Sequence, residues 1–296
     1  MKHISEVLNG FFVTDDRVTL GELDETSERR TQPGSQGILT GFSDLDAVTA
    51  GFQRSDLIVI AGVPGIGKTS FLLGAVYGAS IVHRRKVGIF ALEMPAERVV
   101  QRLLSMETGV DSERLRTGRI GDAEWDRMSR AFGRLNEAPI YIDDTASASI
   151  MDIRSKAVQL QIQQGLDMIV VDYLQLIDTQ KLPRRSLEIS GISRGLKRIA
   201  RELDVPVVAI SQLRRDVEQR ASPMPVLRDL DGSLDEDSDI VLFIYREDRY
   251  ETDSEKKGVA EIIVAKHRNG PVGSIILRFF DRTARFANLS RARVVA

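Results

Sequence analysis

Eight consecutive residues constrain this chain more than any other feature: Gly62-Val63-Pro64-Gly65-Ile66-Gly67-Lys68-Thr69. The spacing is glycine, any four residues, then Gly-Lys-Thr. It follows a continuous apolar run, Leu57 to Gly62, and precedes a helical segment from Lys68 to about His83. Strand, glycine-rich turn and helix in that order make a phosphate cradle. The glycines let backbone N–H groups approach phosphate oxygens without side-chain obstruction. The helix N-terminus adds a partial positive charge. Lys68 is the expected bridge between the β- and γ-phosphates of ATP, the Thr69 hydroxyl the expected ligand of Mg²⁺, and the cradle runs on to Ser70.

The rest of the chain supplies a frame of the matching kind. Val87–Leu92, Ile140–Asp143, Met168–Asp172, Val205–Ser211 and Ile240–Tyr245 are further apolar runs. Such runs suit strands of a parallel sheet covered by helices on both faces. Between them, Ser149 with Asp152 reads as a capping pair for a helix to about Gly165, Asp122 as the cap of a helix carrying Trp125 and Met128, and Arg194–Leu203 repeats apolar residues at helical spacing. Ala260–Lys266 and Ser274–Phe280, joined through Asn269, Gly270 and Pro271, read as a hairpin. The fold class expected is α/β, a mostly parallel helix-flanked sheet with antiparallel strands at the end.

A phosphate loop of this kind needs a carboxylate at the end of a neighbouring strand to hold Mg²⁺, and Asp172, closing MIVVD, fits. Hydrolysis needs a group that orients water. Glu93 emerges after the run VGIFAL at the same sheet edge, where it either serves that purpose or caps the helix starting near Pro95. Gln212 ends its strand as a γ-phosphate partner or as a surface amide. Lys266 and Arg268 alternate along the hairpin and so share one face.

The 296 residues contain no cysteine and carry a formal net charge of −2. Disulfide scaffolds and thiolate metal sites are excluded, a cytoplasmic setting is expected, and no membrane segment is expected. A lone monomer that binds nucleic acid through phosphates usually shows a basic excess. Any such contact here is therefore local. Residues 1–36 read as a linker segment: Asp24 to Gln36 is polar and closes with a proline–glycine turn, while Ile4, Val7, Leu8, Phe11 and Phe12 are spaced as a short helix, either a frayed tail or one that docks on a neighbour. Residues 37–296 form the main domain.

Thr40-Gly-Phe-Ser-Asp-Leu-Asp46, ALEMPAERVVQRLL (Ala91–Leu104), VVDYLQLI (Val170–Ile177), ISRGLKRIARELDVPVVAISQLRRDVE (Ile192–Glu218), DEDSDIVLFIYRED (Asp235–Asp248) and IIVAKHRNGPVG (Ile262–Gly273) stand in one order over about Gly37 to Leu289. This set resembles the RecA-like ATPase domain of DnaB-type replicative helicases. The resemblance implies a homohexameric ring that moves 5′ to 3′ on single-stranded DNA. It implies that Glu93 polarises the attacking water, that Asp172 binds magnesium, and that Gln212 senses the γ-phosphate and links its loss to DNA-loop movement. Arg268, with Lys266 beside it, is implied to enter the neighbouring subunit's site as an arginine finger. For DNA it points to Lys181, Arg184 and Arg185, and to the loop Val226–Leu234 with Arg228 and Gly232. That loop departs from the family's "SDLRESG": it reads VLRDLDGS, keeping Gly232 and either replacing the usual arginine by an acid or displacing it to Arg228. A helicase loader is a further expected partner. The primase-contacting N-terminal helical domain of full-length members is not matched, as in a truncated or natural short form, so primase contact is not expected of these residues. Two other classes share the motifs in part: a recombinase-like filament ATPase, and a nucleotide-binding regulator that holds an assembly without acting as a motor.

Overall fold

The computed structural model describes residues 1–11, 37–179, 184–251 and 253–289. In chain order its elements are β1 (Lys2–His3), α1 (Ile4–Phe11), α2 (Ser43–Thr49), β2 (Leu57–Gly62), α3 (Lys68–Val76), β3 (Val87–Ala91), α4 (Ala96–Thr108), α5 (Ser112–Thr117), α6 (Asp122–Asn136), β4 (Ile140–Asp143), α7 (Ile150–Gln163), β5 (Met168–Asp172), α8 (Arg185–Leu203), β6 (Val207–Gln212), α9 (Leu234–Asp237), β7 (Ile240–Tyr245), β8 (Val259–His267), β9 (Gly273–Phe280) and β10 (Arg285–Asn288). The strands form one sheet in the order β1-β4-β3-β5-β6-β2-β7-β8-β9-β10. The six from β4 to β7 run parallel. β1 and the β8–β10 meander attach antiparallel at the two ends.

The pattern of burial explains the two kinds of strand. Every residue of β2, β3 and β5 is buried, because helices cover both faces. β9 instead alternates, with Ile275, Leu277 and Phe279 inward and Ile276, Arg278 and Phe280 outward. The inward aromatics close over the start of α3. Phe42 stacks on Phe71 at 4.9 Å between ring centroids, Phe71 meets Phe286 edge-on at 5.5 Å, and Phe286 lies 4.7 Å from Phe279. Arg246 sits 4.0 Å over the Phe279 ring. The meander therefore braces the phosphate loop from the side.

Several local expectations change. The helix after the loop continues past α3 as a π-helical turn, Tyr77–Val82. Asp122 is not the cap of α6: Gly121 holds that position, and the Glu124 carboxylate accepts its N–H at 2.9 Å. Ser149 and Asp152 do cap α7 as a reciprocal box. The N-terminal apolar set forms α1, which packs on α4 and α6 of its own chain with Ile4, Val7 and Leu8 buried. The linker expected from Asp24 to Gln36, Phe12 and Lys181 lie outside the described residues. Among the described residues no helix is long and apolar enough to cross a membrane.

Candidate nucleotide site

The parallel strands all present their C-terminal ends at one edge of the sheet, the position where open α/β sheets bind ligands. The loop after β2 is held in shape from below: Val63 and Ile66 are 3% and 0% exposed and act as its anchors in the core. Gly67 has φ +112°, and a Cβ there would stand 3.1 Å from the Phe286 ring. It must be glycine on both counts. Gly67 caps α3 without a side chain, which leaves the helix's first-turn N–H groups to an anion. Gly65, at φ +76°, forms the exposed crest, Pro64 flanks it, and Ser70 is turned into the core.

Around this cradle stand the side chains singled out from the sequence. Lys68 is 8% exposed and donates to the Val63 carbonyl at 2.9 Å. Burial pushes its ammonium down to about 8, against the pull of Asp172 and Glu93. Asp172 closes β5, two strands from the loop, and burial pushes it up to about 6 despite the hydrogen bond from Thr69. Its Oδ1 is buried with no hydrogen-bond partner among the described residues. An orphaned carboxylate oxygen beside a threonine hydroxyl fits a divalent cation and its water shell. β3 and β5 are in register at Ala91↔Asp172, and the Leu92 and Glu93 N–H groups both donate to the Asp172 carbonyl. Glu93 therefore projects, exposed, just beyond Asp172. It does not cap α4: the Ala96 N–H is taken by Asp144 at 3.1 Å. Gln212 pairs with Gly62 across β6 and β2, next to the loop.

Arg268 and Lys266 lie elsewhere. β8 runs back along β7, so His267 pairs with Ile240 at the start of β7 and the Arg268 N–H donates to the Asp239 carbonyl. Gly62 is level with Ile244, whose carbonyl would lie 3.4 Å from a Cβ at that glycine. Five residues of strand separate the two levels, about 16 Å. Arg268 pairs with Asp239 at 3.4 Å and also donates to the Glu236 carbonyl. Lys266 donates to the carbonyls of Asp235, Glu236 and, at 2.8 Å, Ser238. Asp56, buried beside Asp239, is pushed up to about 6 by burial and by that second carboxylate.

The loop residues converge on α8. Arg184 is exposed just before it, and Arg185 begins it, paired with Glu188. Gly232, at φ +67°, packs so tightly on α8 that a Cβ would meet the Ser186 carbonyl at 2.7 Å. The Ser233 N–H donates to Ser190 at 3.0 Å. Arg228 is exposed on the same loop. Arg184 and the segment before α9 thus share one support.

Three residues near the cradle were not foreseen. The Arg249 guanidinium lies over Gly65, 3.4 Å from where a Cβ would stand. Arg102 of α4 faces Asp172 and Glu93, and burial lowers its pKa against their attraction. The Gln175 amide grips the Gln212 backbone. No sequence spacing announces them, since each reaches the site across a separate element.

The cost of ionising Asp172 is measurable in nucleotide-free protein. Its folded value, about 6, lies above the ordinary aspartate value of 3.8, so the charged form is penalised wherever pH exceeds the folded value. Asp172→Asn is expected to raise stability at pH 7.5 by on the order of 1–3 kcal/mol. The gap should close as pH falls from about 6 to 3.8, where the wild-type carboxyl takes up its proton in the folded state. Urea unfolding at a series of pH values reads it, and a gap constant with pH would contradict the assignment.

The model of the DnaB-like helicase C-terminal domain matches residues 37–288. The chain is 48% identical over 259 residues to the replicative DNA helicase DnaB of Geobacillus stearothermophilus, covering 86% of this chain and 57% of that protein. It is 42% identical over 281 residues to DnaB of Haemophilus influenzae, covering 93% of this chain and 60% of that protein. The chain thus spans about three-fifths of these relatives' length. Among solved structures, a separately solved ATPase domain superposes with a TM-score of 0.82 at 38% identity, covering 86% of this chain and 92% of that one. A DnaB-like replicative helicase, described with its interactions with primase, also gives 0.82 at 38% identity, covering 86% of this chain and 62% of that one. Matched by the family model over residues 37–288, and with the RecA-like architecture of those solved structures, the chain belongs to the DnaB-like helicase C-terminal domain family.

Proposed function

We propose that the chain is the ATP-hydrolysing motor of a replicative DNA helicase that works as a ring of identical subunits, a homohexamer on the family pattern, on single-stranded DNA. One observation carries the reading: the site is divided between two edges of the sheet. Lys68, Thr69, Asp172, Glu93 and Gln212 gather at one edge, while Arg268 stands about 16 Å away at the other. An arginine there is out of reach of its own cradle, which supports a role at a second copy's.

Each residue then has a task. The loop amides and Lys68 hold the triphosphate. Thr69 and Asp172 would hold Mg²⁺, which when bound would neutralise phosphate charge. Glu93, exposed beside them, orients the attacking water. Gln212 contacts the γ-phosphate from the adjacent strand end. Arg268 of one subunit stabilises charge at its neighbour's γ-phosphate, with Lys266 as its companion. The segments leading into α8 and α9, with Arg184, Arg185, Arg228 and Gly232, face the DNA. With a net charge of −2, nucleic-acid contact calls for a local basic patch, which a ring would repeat once per subunit. A loader and a primase are proposed as partners of the whole protein, primase on the analogy of the structural neighbour.

A forked duplex with ATP and Mg²⁺ tests the proposal, together with the mass of the assembly. Strand displacement by a ring-sized species is expected. ATP-dependent filaments without displacement would favour the recombinase class, and firm ATP binding with no turnover would favour the regulator.

A further inference from the structure

The end of β6 outruns its neighbour. β5 pairs with β6 at Ile169↔Val207, Val170↔Val208 and Val171↔Ala209, and after Asp172 the chain leaves the sheet for a 3₁₀ turn, Leu174–Leu176. On its other flank β6 stays paired with β2 as far as Gly62↔Gln212. The N–H and C=O of one strand residue point to the same side. Those of Gln212 therefore face the gap that β5 has left.

The side chain of Gln175 fills that gap. Its Oε1 accepts the Gln212 N–H at 3.2 Å, and its Nε2 donates to the Gln212 carbonyl and to Ser211 Oγ, both at 3.1 Å. A carboxamide has the donor and acceptor of a peptide group, so it continues the ladder by one rung. The main chain of Gln175 is held from the other direction: its carbonyl accepts Arg185 Nη2 at 2.6 Å. Arg185 is the first residue of α8, the helix that also seats Gly232 and Ser233. One residue thus touches the strand end that presents Gln212 and the helix on which the loop carrying Gly232 rests.

We propose that Gln175 is the positioning residue through which the link that the resemblance assigns to Gln212 reaches α8, so that a change in the bound nucleotide moves Arg185 and the loop carrying Gly232. This rests on the motor reading above. A displacement of Gln212 toward or away from the phosphate pulls the Gln175 amide, and its carbonyl carries the guanidinium of α8 with it.

The test is the dependence of DNA affinity on nucleotide, read by anisotropy of fluorescein-labelled oligo(dT) on the assembled protein with Mg²⁺ and either AMP-PNP or ADP. The wild-type ratio of the two affinities is expected to be about tenfold or more, within the usual range of coupling between sites. In Gln175→Ala it should fall to within about twofold of unity. Gln175→Glu should behave alike, because it keeps the size but turns an oxygen toward the Gln212 carbonyl. A merely structural loss would weaken both affinities together and leave their ratio unchanged. If either folded variant keeps the wild-type ratio, the proposal is overturned. Hydrogen exchange of the wild-type protein gives a reading that needs no variant: peptides covering residues 207–213 and 184–192 should change protection together between the two nucleotides, and independent changes would also overturn it. A wild-type protein whose DNA affinity ignores the nucleotide would instead defeat the motor reading itself.

Discussion

Lys68→Ala is expected to lower ATP turnover by at least 10²–10³-fold, the scale at which removing one preorganised charge-stabilising donor acts, roughly 3–4 kcal/mol of barrier. The physical reason is the burial of the ammonium. At 8% exposure Lys68 acts where water does not screen it, and its two carboxylate neighbours leave it as the cation that meets incoming phosphate charge. The same burial makes a second, opposite prediction about stability. A lysine whose folded value, about 8, lies below its unfolded 10.5 costs stability at all pH values below the folded one. That cost fades only between about 8 and 10.5, as the unfolded lysine also releases its proton. Nucleotide-free Lys68→Ala should therefore melt at least as high as wild type near pH 7. Phosphate release at saturating Mg·ATP with single-stranded DNA reads the first effect, and thermal melting the second. Turnover within tenfold of wild type would remove the loop from the mechanism; a steep loss of melting temperature would reduce the result to a folding defect. Lys68→Arg separates charge from shape. It keeps the cation, but its planar fork does not fit a cradle built around a point charge, and it should not restore turnover.

The phosphate loop and the parallel strands are legible in the sequence for a local reason. A cradle is made by consecutive residues, and a strand buried on both faces must be apolar throughout, so spacing and composition carry both. The places of Asp172, Glu93 and Gln212, though not their tasks, follow from them, because a residue at the C-terminal end of such a strand has one edge to occupy. What escaped was set by distant packing. β1 is two residues long and exists only as an addition to β4, and β10 is held by β9 and by the Phe71–Phe286 contact. The cap of α6 differed by one residue because glycine can offer its N–H to Glu124 without contributing a side chain. The apolar face of α1 was legible as helical but its seat was not: periodicity states that a face must be covered and is silent on what covers it. Arg102, Arg249 and Gln175 each enter the site from an element whose position only the assembled sheet determines.

Arg268→Ala is expected to abolish turnover in the homogeneous assembly, since a finger supplied by a neighbouring subunit is worth about 10³–10⁵ in rate in phosphate-loop enzymes. That loss alone does not locate the residue's place of action; mixing does. The structure sets Arg268 level with Asp239, about 16 Å along the strand direction from Gly62, and holds it there by the Asp239 carboxylate and two main-chain contacts. Rotation of one side chain cannot close such a gap within a subunit. Each Arg268→Ala subunit should therefore leave its own cradle able to bind nucleotide and silence the cradle next door. When Arg268→Ala subunits are mixed with Lys68→Ala subunits, neither active alone, some interfaces join an intact finger to an intact loop, and turnover should reappear. A site contained in one chain gives no such complementation. Titration of Arg268→Ala into wild type then reports how the interfaces cooperate. Independent interfaces lose activity in proportion, leaving about half at equal mixing, whereas a six-membered ring that fires only when complete retains about 2%. Strand displacement should follow the steeper curve even if basal hydrolysis follows the shallower one, because translocation needs successive sites and hydrolysis needs one. Failure of complementation in mixtures shown by mass to contain both subunits would place the finger in its own site and require β7 and β8 to rearrange.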